Sequence, residues 1–383
     1  MKRAVWLVGG LLSTLILVLA VAHPVHAAER IYGLNKFQTA VQVAYKISPG
    51  TVNSVVLANG NSFADVLAGV PLARQKHAPL LYVDNTPDAS GDALGYIDKH
   101  LARSGSVYIL GGSGVVPDSF VSTLVGMGFD GRNIHRLAGS DRYGTAVAIA
   151  KEMQHSGTEF FLLSGENFPD ALSASVAAAL LGSVAPEEAE QLSRTTGFFH
   201  AAELGGVPVL LMPSSGSVPD VVVDYLNSIS LPALLPQQFF NVVGGEAVVS
   251  NSVIDDLRSR VYRFGGVRAR LAGADRYATS AAVNRLGFES YYANIGVGYM
   301  IPRLYVATGE DYADALCGAV LAALNHAPLV LAGDPLPAAT EELLRHYRDE
   351  NARAAAVDTA MVVIGSPSSI AEATVEQMEA LFH

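Results

Sequence analysis

The chain has 383 residues, half of them hydrophobic, with a formal net charge of −11 and one cysteine, Cys317. That is enough apolar material for two or three buried cores. It excludes an intramolecular disulfide, and the acidic balance argues against a nucleic-acid partner held by bulk charge.

The first residues carry Lys2 and Arg3, an apolar stretch from Leu11 to Ala22, then Pro24 and the small-residue flank Val25, His26, Ala27. This is the pattern of a cleaved secretory signal over residues 1–27. The alternative is an uncleaved membrane anchor, since Val5 to Ala22 is nearly long enough to span a bilayer. Losing Lys2 and Arg3 with the signal takes the net charge from −11 to −13.

Beyond the signal the chain repeats itself. RLAGSDRYGTA at residues 136–146 returns as RLAGADRYATS at 270–280, and in weaker form as RIYGLNKFQTA from Arg30 to Ala40. In each copy the same strings follow in the same order: LANGNSFADVLAG, LSGENFPDALSAS or ATGEDYADALCGA; then APLLYVD, VPVLLMP or APLVLAG; then VYILGGSGVVPDSF, NVVGGEAVVSNSV or VVIGSPSSIAEA. The order predicts three tandem modules over 28–130, 131–265 and 266–383, each long enough to be a domain. Asp170 and Pro208 stand further apart than Asp65 and Pro79 or Asp314 and Pro328, which places an insertion at about 183–206. A smaller surplus lies around FESYYANIGVGYMIP. Both belong at the surface, as loops or an added helix.

Within a module the runs SVVLA, PLLYV and SVYIL have the length and branched content of buried parallel strands, each followed by a glycine turn and a helical pattern. That alternation predicts an α/β fold with parallel sheets. Asp141, or the residue before it, caps a helix with Tyr143, Ala146, Val147 and Ala150 on its inward face. Pro169 and Asp170 suit a helix start, and Ser369 with Glu372 offers a capping box.

Arg142 and Arg276 then stand at helix starts, where a positive charge is disfavoured and needs compensation. The expected partners are carboxylates of the same module: Asp170 for Arg142, Asp314 for Arg276, Asp65 for Lys36. Such inter-helix ion pairs explain the recurrence without a ligand. The alternative is that these cations, with Tyr143 and Tyr277 beside them, face an anionic polymer at the carboxyl ends of the strands. Lys36 lacks the guanidinium fork, so on that reading the first module is the weaker. No GxGxxG, P-loop, GxSxG or HExxH pattern and no close carboxylate pair occurs, so neither a catalytic constellation, a cofactor nor a metal site is expected. Cys317, in DALCGAVLAAL, reads as a buried inert thiol.

The order RLxGxDRYxTA, GENFPDAL, PxLL and a strand ending in GG resembles the type 2 cell-wall-binding repeat of Gram-positive bacteria, found in clostridial surface-layer and cell-wall proteins and some amidases. The resemblance spans essentially the whole chain beyond the signal; the first module departs at Asn35, Lys36 and Phe37, and the third at Ser366 and Pro367. It implies three Rossmann-like or Toprim-like modules around a pseudo-threefold axis. It also implies secretion to the cell surface and non-covalent anchoring to anionic wall polymers, such as teichoic acids, in the peptidoglycan-associated envelope. Wall attachment in the family is linked to PxLL, here Pro79 to Leu81, Pro208 to Leu211 and Pro328 to Leu331; as core strands these are expected to shape a groove, not to touch polymer. The leading expectation is a non-enzymatic wall-binding protein, and the alternatives are a wall-active hydrolase or a structural surface-layer component.

Overall fold

The computed structural model describes residues 28–155, 158–181, 206–231, 237–294, 301–354 and 359–382. The expected signal and, but for Gly206, the expected insertion lie outside the described residues. The first repeat runs β1 (Glu29–Ile31), α1 (Lys36–Ile47), β2 (Val52–Asn59), α2 (Phe63–Gln75), β3 (Leu80–Val83), α3 (Gly91–His100), β4 (Leu101–Leu110) and α4 (Ser119–Gly126). The second runs β5 (Ile134–Leu137), α5 (Arg142–Glu152), β6 (Glu159–Ser164), α6 (Leu172–Leu180), β7 (Val209–Met212), α7 (Asp220–Ser228), β8 (Gln238–Val243) and α8 (Asn251–Arg260). The third runs β9 (Phe264–Leu271), α9 (Arg276–Asn294), β10 (Arg303–Thr308), α10 (Tyr312–Leu324), β11 (Leu329–Ala332), α11 (Ala338–Ala354), β12 (Ala360–Ile364) and α12 (Glu372–Glu379). The strands fall on SVVLA, PLLYV and SVYIL as expected, and part of the third-module surplus prolongs α9.

Three four-stranded parallel sheets result, ordered β3-β2-β4-β5, β7-β6-β8-β9 and β11-β10-β12-β1. The fourth strand of each sheet therefore comes from the next repeat, and the third sheet takes β1 from the chain's other end. The register is the same at all three seams: Leu137 lies opposite Leu110, Leu271 opposite Val243, and Ile31 opposite Ile364. A strand with one buried apolar residue, Ile31, Leu137 or Leu271, completes each sheet; β1 and β5 have three and four residues, β9 has eight.

The helices α2, α6 and α10 pack on one another around a pseudo-threefold axis. Their sequences explain this placement. FADVLAGVPLARQ, LSASVAAAL and YADALCGAVLAAL are apolar all round and rich in small residues, so each helix buries every face instead of one stripe. Around them, α1 lies on β3 and against α10, α5 on β7 and against α2, and α9 on β11 and against α6. Each of these helices thus covers its own sheet and touches the central helix of the preceding module. Ala146, Val147 and Ala150 are buried on the inward face of α5 as expected, with Tyr143 half-buried. One core runs through all three modules, with outer cores in the first and second.

One local expectation needs correction. Ser369 and Glu372 form no capping box, because α12 begins only after Ala371. The Asp334 carboxylate accepts from Ala371 N (2.8 Å) and from the Thr374 hydroxyl, and Glu372 instead pairs with Arg30 at 3.2 Å.

Candidate functional site

The recurrent residues converge at the carboxyl ends of the strands, where one module meets the next. The arginine that opens each string donates to the carbonyl of a glycine ending the neighbouring strand: Arg30 to Gly365 (3.0 Å), Arg136 to Gly111 (2.9 Å) and Arg270 to Gly244 (3.0 Å). These glycines have φ of 125°, 101° and 96°, which disfavours any side chain. A Cβ there would also come within 3.0, 2.9 and 3.3 Å of a carboxylate oxygen of Asp314, Asp65 and Asp170. At the second glycine, Gly112 or Gly245, a Cβ would meet nothing within 4 Å, which explains how the third module tolerates Ser366.

Each string then turns into its helix. Asn35, Asp141 and Asp275 accept from backbone N–H groups of the first turn. Four residues after each of these stands a threonine whose Oγ1 accepts from the turn glycine: Gly33 N to Thr39 (3.1 Å), Gly139 N to Thr145 (3.2 Å) and Gly273 N to Thr279 (3.0 Å). The same hydroxyls face the aspartates of the preceding module, Thr39 toward Asp314, Thr145 toward Asp65 and Thr279 toward Asp170, and favour their charged forms.

The expected same-module ion pairs are therefore corrected. Arg142 and Arg276 lie across the β–α turn of their own module and donate to the carbonyls of Gly165 and Gly309, while Lys36 Nζ donates to Asn61 Oδ1 at 2.7 Å. The glycines leave room for these side chains: a Cβ would meet the arginine stem and the ring of Tyr143 or Tyr277 at 2.8 to 3.1 Å. The aspartates point the other way, across the seam, so charge is matched one module out of step: Arg142 acts on Asp65, and Arg276 on Asp170.

Burial raises the Asp65 carboxyl to about 6 against the opposing pull of Arg142 and Thr145. It raises Asp314 to about 6 as well, helped by Asp311 and opposed by Thr39. Asp170 is also raised by burial, with Thr279 and Arg276 opposing. Tyr277, partly buried and donating to Glu310 (2.8 Å), is pushed up to about 12, and Tyr143 donates to Glu166 (3.4 Å).

Over the axis, the half-buried rings of Phe63, Phe168 and Tyr312, one from each module, meet edge-on or tilted with centroids 5.4 to 6.0 Å apart. Tyr312 Oη donates to Gly60 O (2.8 Å) and the Arg142 guanidinium lies 6.0 Å from the Phe63 ring, so this cluster joins the modules too. Neither these rings nor the seam threonines were singled out from sequence. Both recur at a fixed offset in all three copies, which is the signal that could have found them.

The PxLL residues are buried core strands, and the carbonyls of Pro79, Pro208 and Pro328 accept from Val56, Phe161 and Tyr305 at 3.0 to 3.1 Å. Burial also pushes the Cys317 thiol well up. A cavity of about 650 Å³ lies at the opposite, amino-terminal end of the strands, lined by Lys46, Thr51, Lys76, His77 and Leu321 among others. Among the described residues no cluster of three or more His, Cys, Asp or Glu is placed to hold a metal ion, and no helix is long and apolar enough to cross a membrane.

Two solved structures share the fold. Cwp8 from Clostridium difficile superposes with a TM-score of 0.70 at 24% identity, over 93% of this chain and 52% of its own. Cwp6 from the same organism gives 0.67 at 22%, over 93% and 48%. The N-acetylmuramoyl-L-alanine amidase LytC of Bacillus subtilis (strain 168) is 27% identical over 321 residues, 83% of this chain and 52% of LytC. The amidase enhancer of that strain is 24% identical over 325 residues, 84% of this chain and 37% of the enhancer. The chain spans about half the length of these relatives, or less. The sequence pattern of cell wall binding domain 2 matches residues 30–121, 136–186 and 270–376, more than half of the chain and part of every repeat. The chain belongs to the cell wall binding domain 2 family.

Proposed function

We propose that the chain is a secreted, non-enzymatic wall-binding protein, held at a Gram-positive cell surface by non-covalent contact with anionic secondary polymers such as teichoic acids. The observation that carries this reading is the family's domain in three copies. The geometry supports it: the recurrent Arg, Gly, Asp and Thr residues hold three modules in one ring, and the ring presents its turns and helix starts together on one face. Removal of residues 1–27 as an export signal belongs to the same reading. In the test, the purified chain is sedimented with Gram-positive wall sacculi, intact and after acid extraction of their anionic polymers. Retention on intact walls and loss on stripped walls is the expected result; equal retention on both overturns the polymer as ligand.

The relation to LytC favours a second reading, a wall-active hydrolase. Release of soluble muropeptide or free amino groups from purified sacculi by this chain would establish it in place of the non-enzymatic reading.

A further inference from the structure

Because the three seams repeat one set of bonds, the places where they differ can be compared residue by residue. The corner of the second module holds Asp141, Arg142, Tyr143 and Glu166; that of the third holds Asp275, Arg276, Tyr277 and Glu310. In both, the tyrosine hydroxyl donates to the glutamate, and in the third Arg276 also pairs with Glu310 at 3.3 Å. The first module has Asn35, Lys36, Phe37 and Asn61 at the same four places. Both acids are replaced by amides, and with no glutamate to receive a hydroxyl, tyrosine is replaced by phenylalanine.

Formal charge over the four places is +1 in the first corner and −1 in each of the others. Including the flanking acids Asp84 and Asp311 gives 0, −1 and −2, so the order holds. Asp84 lies beyond the Asn61 amide, 3.4 Å from its Nδ2. The cations differ as well. Arg142 and Arg276 are committed to the carbonyls of Gly165 and Gly309, whereas the bond from Lys36 goes to the neutral side chain of Asn61. A charged oxygen displaces a neutral amide acceptor readily, because charge-assisted bonds are the stronger. The loop before Lys36 also exposes Tyr32 (46%) and Leu34 (91%) where the other copies carry Ala138 and Ser140 or Ala272 and Ala274. An exposed tyrosine offers an apolar ring face and a polar tip.

A chain of net charge −11 can hold a polyanion only where its own carboxylates are withdrawn. We propose that the corner formed by Tyr32, Leu34, Asn35, Lys36 and Asn61 seats an anionic sugar unit of the wall polymer. Lys36 meets the acidic group and Tyr32 the ring face, and Glu166 and Glu310 close the equivalent corners to the same ligand. This rests on the wall-polymer reading and reverses the expected ranking of the modules. The missing guanidinium fork matters less than the missing acids.

The decisive variant is N35D/F37Y/N61E, which writes the constellation of the second module into the first. The fold already accommodates that constellation twice, so its melting temperature should match wild type; K36Q serves as a second variant that introduces no acid. On intact sacculi both should bind at least ~10-fold more weakly, the loss of about one charge-assisted contact. E166Q and E310Q should bind no more weakly than wild type. If wild type is lost from stripped walls but the triple variant and K36Q bind intact walls as tightly as wild type, this corner is not the seat, although the polymer reading stands. If wild type itself binds both walls equally, the polymer reading fails and the corner with it.

Discussion

Two of the seams and the third are built alike but joined differently. The strands β5 and β9 reach the sheets they complete along the chain, following directly on the first and second modules. The strand β1 reaches the third sheet from the far end of the sequence and is held by its ladder to β12, by Arg30 on the carbonyls of Gly365 and Ile370, and by the ion pair with Glu372. That the same register and the same arginine–glycine bond recur at a seam with no covalent link shows that the bonds themselves specify the ring. A module here is not a self-sufficient unit, since every sheet lacks an edge until the next repeat supplies it.

The largest effect should therefore come from removing residues 28–34. This takes away β1 with buried Ile31 and leaves β12 as an unpaired edge. Burial of one isoleucine and a buried-side arginine contact together argue for a loss of at least about 3 kcal/mol, and an open edge invites association. Urea unfolding with size-exclusion chromatography checks both; unchanged stability and a monomeric profile would mean that the closing seam contributes nothing.

The three-module organisation and the strands were legible because they are written three times with a local period. What the sequence concealed was long-range. The RL string precedes its helix, and proximity assigns it to the repeat it opens, yet β5 hydrogen-bonds back to β4. β1 and β5, three and four residues long, carry too little pattern to announce their partners, and β9, though eight long, buries only Leu271. The arginine–aspartate pairs were read one module out of step for the same reason. Residue types show that a cation and a carboxylate need compensation, but not on which side of a seam each lies. The threonines that join the two were visible at a constant spacing, and were missed because a hydroxyl has no charge to account for.

The seam aspartates supply the next comparison. Asp65 is 5% exposed and its carboxyl is raised to about 6, above the ordinary value of 3.8, mainly by burial. A raised carboxyl binds its proton more tightly in the folded state, so its contribution to stability is full below about pH 4 and is lost as pH rises through about 6. A shift of this size corresponds to about 2 to 3 kcal/mol. Asp65→Asn keeps an acceptor for Thr145 without the buried charge. It should therefore raise stability at pH 7.5 by an amount of that order and change little at pH 4. Urea unfolding at the two pH values measures it. A variant less stable at pH 7.5 would show that the charged form is the one the seam requires.

The smallest effect decides the pairing. With its guanidinium on the Gly165 carbonyl and its stem against that glycine, Arg142 makes one charge-assisted bond to a neutral acceptor, so Arg142→Ala should cost about 1.5 to 2 kcal/mol. A buried ion pair with Asp170 would have made the loss about 3 to 5 kcal/mol. Arg142 also lowers the Asp65 pKa, so its removal raises that pKa further and the loss should be greater at pH 7.5 than at pH 4. Two double-mutant cycles separate the alternatives. Arg142→Ala with Asp65→Asn should show a coupling of about 0.5 to 1 kcal/mol at pH 7.5 that fades at pH 4, whereas Arg142→Ala with Asp170→Asn should be additive. Coupling to Asp170 in place of Asp65 would return the charge pairs to the interior of each module and leave the seams without a matched charge.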